Sequence, residues 1–175
     1  IEALLKKREP KVLEWVEIME ALQWEVLDRK LRHAHAVYRF YPAAGEGNDL
    51  ILYDPAEPEK SREIARFAFP RQPAGEFLCL ADFVHMVATG ERDYVALFVV
   101  SCGEGVRELA EAWKAKGEFV KSHAVQALAI ESAEAFAEYL HSRIRTQWGF
   151  PDPPDLPKED LFKARYRGIR VSFGY

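Results

Sequence analysis

The chain reads as an α+β protein on three observations. Apolar residues recur at three- and four-residue steps near the start, alternating or continuous apolar runs separated by turn signals fill the middle, and helical periodicity returns after Gly103. Its 175 residues fall within the usual range of one domain, so residues 1–175 are expected to form a single one. Hydrophobic residues supply 49% and charged residues 30%, a balance that excludes intrinsic disorder.

From Lys11 to Leu31, Val12, Trp15, Val16, Ile18, Met19, Leu22, Val26 and Leu27 keep helical spacing, with Pro10 where a first turn tolerates proline. The apolar positions cover more than half the circumference, which predicts packing on two sides. Ala34–Tyr41 and Asp49–Tyr53 read as strands joined through Gly45–Asp49 by a hairpin of the longer-loop type. Ile64–Phe69, Phe77–Val84 and Tyr94–Ser101 are three further strand candidates, the last a near-continuous apolar run expected in a central position. Gly103 and Gly105 lead into a helix from Val106 to about Lys116, and a longer one runs from about Ser122 to Gln147. Val125, Ala129, Ala133, Phe136, Leu140 and Ile144 share one side of that long helix, while Glu134, Glu138, His141 and Arg145 gather nearly opposite. Pro151, Pro153, Pro154 and Pro157 predict an extended linker, followed by a short helix at Glu159–Arg165 and a tail, Tyr166–Tyr175.

Charge and composition narrow the function. With 24 basic and 28 acidic residues the net charge is −4, and the chain has no broad electrostatic attraction for nucleic acid or anionic lipid. No apolar run approaches the roughly 20 residues of a membrane helix. Cys79 and Cys102 form no CxxC pair and fit a reduced, cytoplasmic setting. Ile1 opens into the charged Lys6–Lys7–Arg8 segment without a signal-peptide pattern, and with no initiator methionine and no polar tail the chain is expected to be a piece of a longer polypeptide.

Four constellations could carry chemistry. His33 and His35 sit two apart on a strand edge, but no third ligand follows at metal-site spacing, and surface histidines explain them as well. Ser101–Gly105 lies between strand and helix, where backbone amides hold anions and a cysteine gains reactivity. Its glycines match neither dinucleotide nor phosphate-loop spacing, so a tight turn with Cys102 packed as a small hydrophobe is the preferred reading. A hydrolase using Cys102 with His123 has no supporting motif. The segment Lys163–Tyr175 carries Lys163, Arg165, Arg167 and Arg170 and no acid; a solvated helix end explains Lys163 and Arg165, whereas Arg170, flanked by alternating Ile169, Val171 and Phe173, is positioned as a fork for a carboxylate. Glu134 is an ordinary solvated glutamate unless something docks over its helix face, and the proline-rich linker, at about 3.1 Å per residue, lets the tail reach back to it.

Several strings taken together resemble the reactivation domain at the C-terminal end of cobalamin-dependent methionine synthase. They are Leu78–Val84 (LCLADFV), Asp93–Val100 (DYVALFVV), Ala127–Ala129 with Ala133–His141 (AEAFAEYLH), Trp148–Gly149, and Tyr166–Arg170 running into Gly174–Tyr175 as R-x-x-x-G-Y. The strings keep the family's order and near its spacing from about Val12 onward. Where the family can carry an aspartate early in the long helix, this chain has Ile130 beside Glu131.

The resemblance implies a single helmet-like α+β domain, a twisted antiparallel sheet flanked by long helices, that binds S-adenosylmethionine. It implies a place in a cobalamin-dependent methyltransferase (5-methyltetrahydrofolate–homocysteine methyltransferase), where the domain supports reductive methylation of cob(II)alamin to methylcobalamin for methionine biosynthesis. Cobalamin would be held mainly by the neighbouring cobalamin-binding domain, and flavodoxin or a flavoprotein reductase would supply the electron. Arg170 would take the ligand carboxylate, Glu134 its positively charged side, and the backbone at Ser172 the adenine or amino-acid portion. Gly174 would allow close approach, and Tyr175 would sit by the sulfonium, or near the corrin when the domain docks. No general acid, base, nucleophile or metal is expected of the domain itself, because the donor methyl is already activated by its sulfur. The alternative is a non-catalytic interdomain cap of the same fold that has lost the ligand.

Overall fold

A computed structural model describes residues 10–28, 33–57 and 59–171, the Leu27 side chain apart. The described chain divides into two compact units, one formed by the segment up to Ala36 with everything from Val100 onward, the other by Val37–Val99.

The first unit is helical. Helix α1 spans Pro10–Asp28, α2 Val106–Ala115, α3 Phe119–Gln147 and α4 Lys158–Phe162. Its core joins Leu22 and Val26 of α1 to Val106, Leu109, Ala110 and Trp113 of α2 and to Ala124 and Val125 of α3, with Ile18 and Met19 packed against them. Ile18, Leu22 and Val26 are one helical turn apart, so α1 buries a single stripe. Trp15 and Trp24 on the rest of its surface are 51% and 72% exposed, and the expected two-sided packing is not found.

Between Cys102 and α2 the chain turns on Gly103, at φ 92°, where a Cβ would lie 2.9 Å from Val106 Cγ2 and 3.0 Å from the Ala129 Cβ. Glycine is needed there both for the positive φ and for the close approach of α3. Burial pushes the Cys102 thiol up, the opposite of an activated nucleophile. The loop is therefore the tight turn that was the preferred reading of Ser101–Gly105.

The second unit is built on a sheet of order β3-β2-β1-β4, with β1 at Ala34–Glu46, β2 at Asp49–Tyr53, β3 at Glu63–Ala68 and β4 at Asp93–Cys102. β1 and β2 pair antiparallel from Ala43↔Leu52 to Glu46↔Asp49, leaving a two-residue turn at Gly47 and Asn48. The expected longer loop is replaced because Gly47, at φ 60°, supplies the left-handed conformation a tight hairpin needs. The buried strand is β2: Leu50 and Leu52 enter one core with Ala43, and Ile51 and Tyr53 enter another with Ala44. β4 lies at the sheet's edge and alternates half-buried with exposed positions, so its apolar run does not mark a central strand.

Phe77–Val84 is likewise not a strand. Leu80–Phe83 forms a 3₁₀ turn in which the Asp82 carboxylate accepts the Cys79 N–H at 2.8 Å and pairs with the Arg71 guanidinium at 2.6 Å. Those bonds, with Arg71 also holding the Phe77 carbonyl and the Asn48 side chain, outweigh the strand propensity of the segment.

Candidate functional site

The site is built on the late part of α3, the longest element of the chain at 29 residues. Glu134, Glu138, His141 and Arg145 fall on one side of it at helical spacing, as the sequence predicts. The tail does return to that face. Tyr166 donates its hydroxyl to Glu138 Oε2 at 3.3 Å, and Arg170 donates from Nε to Glu138 Oε1 at 3.0 Å. Arg170 Nη2 donates to Glu134 Oε1 at 2.6 Å and also to Glu138 Oε1.

This face is not the solvated one its composition suggests. Arg145 is 1% and His141 7% exposed, beneath the returning tail. The Arg145 guanidinium lies 3.9 Å over the Tyr166 ring and holds the Asp152 carboxylate through Nε at 2.7 Å and through Nη2. The His141 ring meets Tyr166 edge-on at 5.2 Å. Asp152, Tyr166 and Arg170 thus bring the proline-rich loop and the tail onto one helix through three charge-bearing or aromatic anchors.

Electrostatics follow from that burial. Burial works against the Arg170 charge, but its hydrogen bonds to Glu134 and Glu138 outweigh this and its pKa is raised. Burial and then the Glu138 charge raise the Tyr166 hydroxyl, which stays a donor. Burial, followed by the Arg145 charge, pushes His141 down to about 4. The unfolded chain would protonate His141 near 6.5, so it binds more protons than the folded chain between about pH 6.5 and 4. Stability is therefore expected to fall as pH drops through that window and to be flat in this respect above it. Thermal midpoints of the wild type and His141→Phe across pH 4–7 check this: the variant should lose most of the slope.

The two described residues named from sequence, Glu134 and Arg170, are in direct contact rather than on opposite sides of a ligand-sized gap. Ile169 and Val171, expected to pin Arg170 by packing, are 59% and 50% exposed; the ion pairs anchor it instead. Ser172, Gly174 and Tyr175 lie outside the described residues. Sequence reasoning placed Glu138 on the right face without a role, and missed the Arg145–Asp152 pair. The signal for Glu138 was present, four residues after Glu134, whereas nothing local links Asp152 to Arg145. His35 Nε2 stands 3.7 Å from Glu104 Oε2, and among the described residues no group of three ligating side chains could hold a metal. No described helix is long and apolar enough to cross a membrane.

Fold and site together define an α+β module in which an arginine-bearing tail is ion-paired to the acidic face of a long helix. A family model described as vitamin B12 dependent methionine synthase, activation domain, matches residues 15–175. Methionine synthase of Mycobacterium tuberculosis is 36% identical over 159 residues, covering 85% of this chain and 13% of that protein. The crystal structure of the MetH reactivation domain bound to AdoHcy superposes with a TM-score of 0.84 at 30% identity, over 99% of this chain and 55% of the other. The chain belongs to the activation-domain family of vitamin B12-dependent methionine synthase. It spans a small part of the curated relative's length, 13%.

Proposed function

We propose that this chain binds S-adenosylmethionine on the Glu134–Arg170 face and serves as the reactivation module of a cobalamin-dependent methionine synthase. The observation that carries the reading is the Arg170 guanidinium held between Glu134 and Glu138 on α3, in a chain of the activation-domain family.

The amino-acid end of the ligand is a zwitterion, and the residues suit it. Among the described residues Arg170 Nη1 makes no hydrogen bond, so it is the donor for the ligand carboxylate while Nε and Nη2 stay on the glutamates. Glu134, 39% exposed, is placed to accept from the ammonium, and Glu138, secured by Tyr166, orients Arg170. Ser172, Gly174 and Tyr175 follow Arg170 directly and are proposed to complete the contacts through backbone, close approach and ring. The titrating groups of this face transfer no proton in the reaction; they bind and orient. When bound, the ligand supplies a methyl group activated by its sulfonium, to be passed to reduced cobalt in the conversion of cob(II)alamin to methylcobalamin.

The two compact units are read as one activation module, since the family model runs through both. The cobalamin-binding domain of the same enzyme is the proposed partner and holder of the cofactor, flavodoxin or a flavoprotein reductase the electron donor, and the cytoplasm the setting. The test is thermal denaturation with and without ligand. At 100 times the dissociation constant, S-adenosylmethionine should add about 2.7 kcal/mol of stability by mass action, which for a chain of this size raises the midpoint by roughly 5–10 °C. An unchanged midpoint with saturating ligand would overturn the reading in favour of a ligand-free interdomain cap.

A further inference from the structure

A cleft of about 410 Å³ lies within the first unit, with the loop after α3 on one side and the Arg165–Arg167 turn on the other; Tyr166, whose hydroxyl reaches Glu138, also lines it and borders the Glu134–Arg170 face. Its volume falls in the range of small-molecule sites, about 300–1,000 Å³. One wall is apolar: Phe150, Pro151, Pro153 and Leu156. The prolines fix their own φ, the wall is anchored to the end of α3 by Phe150 N–H on the Arg145 carbonyl at 3.1 Å, and it turns on Leu156 N–H to the Pro153 carbonyl at 3.0 Å.

Charge on the other wall is unbalanced at one residue. Asp152 lines the cleft, but its carboxylate is engaged by Arg145 through two N–H groups. Arg165 pairs with Asp160 at 3.1 Å. Arg167 has no carboxylate partner among the described residues; its guanidinium lies 4.7 Å over the Phe150 ring. Among the described residues the Arg167 guanidinium makes no hydrogen bond, so its N–H groups are available to an oxyanion, which a guanidinium can take by two parallel bonds. The turn that presents Arg165 and Arg167 is the cap of α4: Ala164 takes the left-handed φ of 51°, with its N–H on the Leu161 carbonyl at 3.0 Å and the Arg165 N–H on the Asp160 carbonyl at 2.8 Å.

We propose that this cleft is a second binding site, separate from the Glu134–Arg170 face, for a small aromatic oxyanion. Arg167 clamps the carboxylate or phosphate, and Leu156 with Pro151 and Pro153 seats the ring. The inference does not depend on the methyl-donor reading, because none of these residues is assigned to that ligand.

The probe is 1-anilinonaphthalene-8-sulfonate, an aromatic oxyanion whose fluorescence rises on apolar contact, titrated into the 175-residue chain. Saturable binding at one site per chain is expected. Arg167→Gln should weaken it at least tenfold, and Leu156→Asp, which places an acid in the ring seat, should do the same by a different route. The thermal midpoint and S-adenosylmethionine affinity of Arg167→Gln should match those of the wild type. Displacement by adenosine 5′-monophosphate identifies a phosphate ligand, and displacement by indole-3-acetate a carboxylate; either supports the site. Displacement by neither, equal binding to Arg167→Gln, or unsaturable binding overturns it. Displacement by S-adenosylmethionine also overturns it, by making the cleft part of the other site.

Discussion

Arg170→Ala is expected to remove most of the rise in thermal midpoint that S-adenosylmethionine gives the wild type, while leaving the ligand-free protein nearly as stable as before. The two effects separate because Arg170 has two roles of unequal weight. Its bonds to Glu134 and Glu138 are between side chains that solvent partly reaches, with the glutamates 39% and 35% exposed, so after screening their loss costs the free protein about 1 kcal/mol or less. The ligand, by contrast, loses the donor for its carboxylate and meets two glutamates without the Arg170 charge between them. Truncating one partner of a hydrogen-bonded charge pair costs about 2–5 kcal/mol in binding, roughly 30-fold in affinity at the least. At 100 times the wild-type dissociation constant the ligand would then add under about 1 kcal/mol to the variant, against about 2.7 to the wild type. Arg170→Lys should recover part of the affinity, because it restores the charge without the planar fork. A full ligand-induced rise in Arg170→Ala would remove this residue from the site.

Asp152→Ala should cause the largest loss of stability in the first unit, about 3–5 kcal/mol, or roughly 6–20 °C in midpoint. Arg145 is 1% exposed and donates from Nε and Nη2 to this one carboxylate. Removing it leaves a buried guanidinium with the Tyr166 ring as its remaining partner. The double variant Arg145→Met with Asp152→Ala should recover much of the loss, since the buried charge goes with its partner. Acid titration offers an independent check. The Arg145 hydrogen bonds hold the Asp152 carboxyl below its usual value of 3.8, so its contribution is complete above that pH and is lost as pH falls through the folded value. The wild type should therefore lose stability below about pH 4 more steeply than Asp152→Ala. Equal midpoints at neutral pH would show that Arg145 finds another partner.

How much of this was legible in the sequence depends on the range of the interaction. α1, α2 and α3 were read to within a few residues because helical periodicity is written in consecutive side chains. The strand reading of Phe77–Val84 failed because Arg71, several residues upstream, competes for Asp82 and the Phe77 carbonyl. The edge position of β4 was invisible because a continuous apolar run reports hydrophobicity and not which neighbours a strand has. Gly47 carried the turn signal, but β1 continues through Pro42 to Glu46, and only pairing with β2 reveals that length.

By itself the sequence determined the α+β class, the side of α3 on which Glu134, Glu138, His141 and Arg145 lie, and the family. These depend on residue order and spacing, and both are present in the unfolded chain. Tertiary structure decided which of those residues meet. It set Arg170 against two glutamates more than thirty residues earlier in the chain, buried Arg145 on a carboxylate from the proline-rich loop, and left Arg167 over Phe150 without a counter-charge among the described residues. The strength of an ion pair depends on distance and on the solvent excluded around it, and both quantities come into existence only when the tail closes on the helix.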